Sequence, residues 1–181
     1  MPPISQDPHM LSRGEFLKES AAATVTLALA ANAAVGQENN KMDGLKSEFL
    51  FKLVADLDPP RQVGDTPDGA RIIYNVTGGT IDGPRIKGKI LPGGGDWFRV
   101  RSDGTGELDV RATIQTDDDV LVYMRYTGVT HTKAEDGSRY FRTTPRFETA
   151  SEKYAWLNDV VAVGVGQTGD NQVSYDVYEI L

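Results

Sequence analysis

The sequence predicts an all-β fold: a single-domain antiparallel β-barrel, closed in the lipocalin manner, with one short helix. Three observations predict it. From Leu45 to the C-terminus, apolar residues recur with period two in a series of short runs. Turn dipeptides such as Asp103-Gly104 and Asp136-Gly137 separate those runs, glycine supplying the positive φ that tight hairpins need. Only Thr149–Asn158 (TASEKYAWLN) carries a helical pattern, with Thr149 and Glu152 spaced as a capping box. A sandwich would share this signature. Closure removes sheet edges and leaves an interior able to hold a ligand, which favours the barrel.

Residues 1–33 read as a leader and export signal. A short charged stretch precedes the apolar run Ala21–Ala31, which is too short to span a bilayer. Ala31-Asn32-Ala33 then offers the small-x-small pattern that a signal peptidase accepts. Ser12-Arg13-Gly14-Glu15-Phe16-Leu17-Lys18 resembles a twin-arginine signal, with Gly14 where the second arginine belongs. The expected destination is the periplasm or the exterior of a bacterial cell, and the cytoplasm if the imperfect signal does not work. Met10 is a second candidate start. Residues 34–44 form a linker and residues 45–181 the barrel domain.

Within that domain, Leu45, Phe49, Phe51, Leu53, Ala55 and Leu57 alternate with polar residues, Leu50 and Val54 being the exceptions. Arg71–Thr77 follows as a β-branched and aromatic strand ended by Gly78-Gly79. Arg85–Leu91 and Trp97–Arg101 are two further strands, joined by a glycine turn at Gly93-Gly94-Gly95. Glu107–Thr116, Val120–Thr130, Arg139–Thr144, Val160–Gly166 and Gln172–Ile180 complete the set.

Composition narrows the chemistry. The 181 residues carry a formal net charge of −7 and no clustered Lys/Arg, which argues against nucleic-acid phosphates and anionic membrane surfaces as partners. Without cysteine there is no disulfide, thiolate nucleophile or cysteine-bound metal. His9 and His131 are the two histidines, too few for a multi-histidine metal site, and no EF-hand spacing is present. No metal and no cofactor are expected. The glycine run lacks the Lys-Ser/Thr of a phosphate loop, and no Gly-x-Ser-x-Gly elbow occurs. Carboxylates, tyrosines and arginines are left to carry any catalysis, which suits proton transfer beside a carbonyl or elimination.

Several side chains are candidates. Gly93-Gly94-Gly95 would aim Asp96 and Trp97 at a ligand, or be only a flexible hairpin. Asp109 and Arg111 share one strand face, and periodicity does not distinguish lumen from solvent for that face. Tyr154 on the short helix offers a hydroxyl and Asn158 an amide, or both are part of a barrel plug. His131 reads as a solvated loop residue.

These segments together resemble the DUF3237 (UPF0311) family. The resemblance rests on Gly88–Trp97 (GKILPGGGDW), Leu108-Asp109-Val110-Arg111, Tyr126-Thr127-Gly128, Tyr140-Phe141-Arg142-Thr143, Pro145–Thr149, Tyr154 with Trp156-Leu157-Asn158, and Val173–Tyr178. It implies a single antiparallel barrel, often a homo-oligomer, and assigns no reaction. It also implies that Asp96, Trp97, Asp109, Arg111, Tyr126, Arg142, Phe147, Tyr154, Trp156 and Asn158 form a shared polar and aromatic set, which moves Asp109 and Arg111 toward the lumen. Asp119 stands where that family commonly has a turn glycine. The expectation is a small-molecule site for an aromatic or carbonyl-bearing ligand. Asp96 or Asp109 would accept a proton, Tyr154 would donate one, and Arg111 and Arg142 would hold an anionic group. Trp97, Tyr126 and Trp156 would form the wall. A cofactor-independent isomerase, lyase or cyclase is the first reading. A non-catalytic carrier or sensor is the alternative, and a purely structural oligomer subunit the third.

Overall fold

The computed structural model describes residues 44–181. The expected export signal, and the linker up to residue 43, lie outside the described residues. Nine strands follow in order: β1 (Ser47–Leu57), β2 (Arg61–Thr66), β3 (Gly69–Asp82), β4 (Lys87–Val100), β5 (Gly106–Thr116), β6 (Leu121–Thr132), β7 (Arg139–Glu148), β8 (Ala162–Gly169) and β9 (Gln172–Ile180). A 3₁₀ helix, Glu152–Asp159, joins β7 to β8. The strands pair antiparallel in the order β1-β9-β8-β7-β6-β5-β4-β3-β2, and β1 also pairs with β3. That pairing closes an eight-stranded barrel and leaves β2 as a flap on the first half of β3.

The period-two pattern sets which side chains enter the barrel. On β5, Leu108, Val110, Ala112, Ile114 and Thr116 are buried, whereas Asp109, Arg111 and Gln115 between them face outward. Phe51, Leu53, Val122, Met124 and Val177 fill the middle of the barrel with almost no exposure. The 3₁₀ helix plugs one end, burying Tyr154 and Leu157. The other end is formed by the end of β1, the β6–β7 termini and the β8–β9 turn, and it opens into a cavity.

Four sequence expectations are corrected here. The strand breaks at Gly78-Gly79 and at the triple glycine do not exist, because β3 and β4 run through both. The pairing register instead shifts between Asn75 and Thr80 on β3, and between Leu91 and Gly95 on β4. Gly79 (φ 142°) and Gly93 (φ 103°) take the positive φ that these bulges demand, so the glycines bend continuous strands. In β1 a register shift between Phe49 and Phe51 turns both Leu50 and Phe51 inward. Phe49 is thereby on the outside, edge-on to Tyr178 at 5.7 Å, and Leu45 is exposed. Polar, irregular β2 carries no alternation and had no strand signal of its own; β3 holds it. The capping box does not form: Ser151 precedes the helix without a side-chain cap, and Thr149 Oγ1 donates to the Leu121 carbonyl instead.

Candidate functional site

The cavity at the open end of the barrel has a volume of about 280 Å³. Its walls are apolar, with Val76, Phe98, Val110, Phe141 and Val173 contributing, and a few polar groups converge inside. Asp96 points in from β4 because it is one residue out of phase with outward-facing Trp97. The Asp109 backbone N–H donates to Asp96 Oδ1 at 3.0 Å. Removal from water nevertheless dominates and pushes the Asp96 carboxyl up to about 7, with the charge of nearby Asp109 acting in the same direction. The backbone hydrogen bond and Arg71 oppose that rise.

Facing Asp96 are two buried tyrosines, Tyr126 from β6 and Tyr175 from β9. Their rings meet edge to face at 5.4 Å, close enough for each hydroxyl to act on the other's ionisation. Phe141 packs on Tyr175 at 5.2 Å. Burial raises both hydroxyls well above the ordinary phenol value, so both keep their protons near neutrality. A third phenol, Tyr74 on β3, packs edge-on to Phe98 at 6.0 Å and is raised by burial and by Asp96. Arg139, the first residue of β7, stands at the rim and donates from Nε to Thr130 Oγ1 at 2.8 Å.

Of the residues singled out in the sequence, the structure brings only Asp96 and Tyr126 together in this cavity. The lumen position expected for Asp109 and Arg111 is corrected: the inward places on β5 belong to Leu108, Val110 and Ala112. Both charges lie about half-exposed on the outer face, paired at 3.1 Å, with Arg111 over the Trp97 ring at 5.1 Å. Arg142 is also on the outside; its Nη1 donates to the Phe141 carbonyl at 2.9 Å and its guanidinium lies over Tyr140. Trp97, Asp109 and Arg142 line a shallow groove across the outer face of the barrel.

Tyr154, Trp156 and Asn158 sit at the plugged end instead. The Tyr154 hydroxyl donates to Asp118 Oδ1 at 2.8 Å, beside the Lys153–Asp118 ion pair. Trp156 lies beneath the Arg85 guanidinium at 3.6 Å. Asn158 donates to and accepts from the Thr149 backbone. Phe147 is buried against Phe51. His131 is partly exposed and stacked on Tyr140 at 5.0 Å. Among the described residues no His/Cys/Asp/Glu group is arranged to hold a metal.

Sequence reasoning missed Tyr175, Tyr74 and Arg139. Tyr175 is in phase with partly buried Val173 and buried Val177, and Arg139 with buried Phe141, so strand phase was the available signal for both.

The sequence signature of the family described as protein of unknown function (DUF3237) matches residues 45–180. The chain belongs to the DUF3237 family. A UPF0311 protein of Rhodopseudomonas palustris is 30% identical over 149 residues, covering 76% of this chain and 97% of that protein. This DUF3237 domain is also similar to a solved β-barrel-like protein of Acinetobacter baumannii, at 38% identity and a TM-score of 0.73, over 76% of this chain and 96% of the other. A hydroalkoxylation enzyme of Penicillium herquei is 30% identical over 118 residues, covering 65% of this chain and 71% of that enzyme. A DUF3237 barrel thus has both a relative with no assigned reaction and a more distant one that is an enzyme.

Proposed function

We propose that the lumenal cavity is an acid–base site for a small, largely apolar molecule, serving a cofactor-independent isomerase, lyase or cyclase. One observation carries the reading: a carboxyl held near pH 7 by burial shares a closed-barrel cavity with two adjacent, protonated tyrosines. A group half-ionised at neutral pH both takes a proton and returns it, which is the condition for efficient general acid–base chemistry. Asp96 carboxylate would remove a proton from substrate carbon or hydroxyl. Tyr126 and Tyr175 would donate hydrogen bonds to the oxygen on which negative charge gathers. The proton held by Asp96 would then be delivered to the product, so the reaction needs no external oxidant or reductant.

The relative from Penicillium herquei supports this class. Hydroalkoxylation adds an alcohol O–H across a carbon–carbon multiple bond, which is a proton relocation with ring closure when both groups belong to one molecule. The volume of about 280 Å³ falls just under the range of ligand pockets, about 300 to 1,000 Å³, which suits a small substrate.

The test is a turnover screen of the full chain with unsaturated phenols, enones and lactones, run beside Asp96→Asn and Tyr126→Phe. General acid–base catalysis contributes on the order of 10²–10⁴-fold. Asp96→Asn is expected to lose at least about a hundredfold in kcat with KM little changed. The kcat/KM profile of the parent should bend near pH 7. A compound that is turned over equally well by Asp96→Asn overturns the assignment. One that binds without turnover, with affinity altered by Asp96→Asn, makes the barrel a carrier.

A further inference from the structure

Resting on the acid–base reading of the cavity, we infer that its substrate bears a carboxylate, held at the barrel mouth by the end-on fork of Arg139. Charged groups around the cavity are few. Asp96 lies inside, Asp58 lies on the wall next to β1, and Arg139 is the one cation among the described residues that line it. Its Nε is committed to Thr130 Oγ1 at 2.8 Å, and Thr130 is buried, so the guanidinium has a fixed anchor. Among the described residues, no carboxylate forms an ion pair with it. Asp58 is three strands away around the ring and accepts from Asn75 Nδ2 at 3.4 Å.

The other arginines near this end are disposed differently. Arg99 is hydrogen-bonded to Glu107, Arg101 is paired with Asp103, and Arg111 is paired with Asp109, all on the outside of the barrel. Arg71, whose charge also reaches Asp96, donates to the Trp97 carbonyl in the outer groove, so among the described residues Arg139 is the arginine that lines the cavity itself. With Nε occupied, Nη1 and Nη2 are left to act side by side, which suits the two oxygens of a carboxylate. The walls are apolar and aromatic, Phe98, Phe141 and Tyr74 among them. The substrate this arrangement fits has an apolar, ring-bearing body directed at Asp96 and Tyr126, with its carboxylate outermost.

The test uses full-length protein and two probe pairs: cinnamate and 4-hydroxybenzoate, each beside its neutral methyl ester. Binding is read by thermal shift and titration calorimetry for the parent, Arg139→Gln and Arg139→Lys. Arg146→Gln, on the exposed face of the same strand, controls for net charge. At least one acid is expected to bind the parent tenfold or more tightly than its ester. Arg139→Gln should erase that preference, Arg139→Lys should restore part of it, and Arg146→Gln should leave it intact. Esters that bind as well as acids, with Arg139→Gln indifferent, overturn the carboxylate assignment and leave the acid–base cavity standing. Absence of any shift with either member of both pairs overturns it as well. In that case the turnover screen with neutral substrates decides the acid–base reading separately.

Discussion

Ionising Asp96 inside the barrel works against folding. Its carboxyl is raised from 3.8 to about 7 in the folded state, so between those pH values the native protein binds more protons than the unfolded chain. Stability therefore falls as pH rises through that window and is level above it. At about 1.4 kcal/mol per unit, the full effect is of order 4 kcal/mol. Asp96→Asn keeps an acceptor for the Asp109 N–H and cannot ionise. It is expected to stabilise the protein by up to about 4 kcal/mol at pH 8 and to change it little at pH 4, as read by urea unfolding at both pH values. A destabilised variant at pH 8 would mean that the carboxylate has a partner in the native state. Arg111 offers the contrast. Half-exposed and paired with Asp109 on the outer face, it should cost less than about 1 kcal/mol when changed to alanine. Asp119 shows how one residue adapts to a turn. It takes φ 63°, the conformation for which a glycine is the easier choice, and accepts a hydrogen bond from Gln115 Nε2 at 3.1 Å.

Among the elements, β8 and the 3₁₀ helix set the two ends of the barrel. β8 presents Gly164 and Gly166 to the lumen, where a side chain would collide with its neighbours. A Cβ on Gly166 would meet Phe141 Cγ at 2.7 Å and Tyr175 Cε1 at 2.8 Å. The glycine makes room for the aromatic pair that positions Tyr175 against Tyr126. Gly166→Ala should cost about 1–3 kcal/mol through overpacking, and should also weaken ligand binding in the cavity. Thermal unfolding and calorimetric titration of one variant would read both effects. The 3₁₀ helix does a different job. Its Tyr154 hydroxyl ties the plug to the β5–β6 turn through Asp118. Tyr154→Phe is expected to lose about 1 kcal/mol of stability while cavity affinity is unchanged. Changed affinity with unchanged stability would return Tyr154 to the list of ligand-touching groups.

At the scale of the molecule, closure is carried by β9, which pairs with β8 on one side and β1 on the other. A chain ending at Asn171 would expose two sheet edges and open the core. It should lose cooperative thermal unfolding by circular dichroism, and a cooperative transition would show that β1 and β8 reclose without it. Stability should also vary with pH in two limbs. Asp103 is held below its usual range by Arg101 and the Thr105 amide, and Asp118 by Lys153, Thr116 and Tyr154. Those contributions are present above about pH 4 and are lost as pH falls below it. Asp96 acts in the opposite sense from pH 4 to about 7. A melting temperature highest in mildly acidic buffer is expected in a scan from pH 3 to 9. A maximum at pH 8 would show that Asp96 ionises without penalty.

How much of this was legible beforehand follows from what periodicity encodes. Alternation along β5, β6, β7 and β9 shows in the residues themselves, because a strand's side chains switch sides at every step. The sequence by itself determined an antiparallel all-β fold, its tight turns at Gly104 and Gly137, and a short aromatic helix before the last two strands. It also singled out Asp96 and Tyr126. Alternation states which residues share a side and is silent on which side is inside. That is why Asp109 and Arg111 could be expected in the lumen although they lie on the surface. Bulges at Gly79, Gly93 and Leu50 change the phase locally: the first carries β3 past the expected end at Gly78, the second joins Arg85–Leu91 to Trp97–Arg101, and the third puts Phe49 outside. Only the tertiary structure decided that Asp96, Tyr126, Tyr175 and Arg139, from four different strands, surround one cavity. That convergence depends on the closed strand order and its register, which are set by long-range pairing across the whole barrel and by no local pattern.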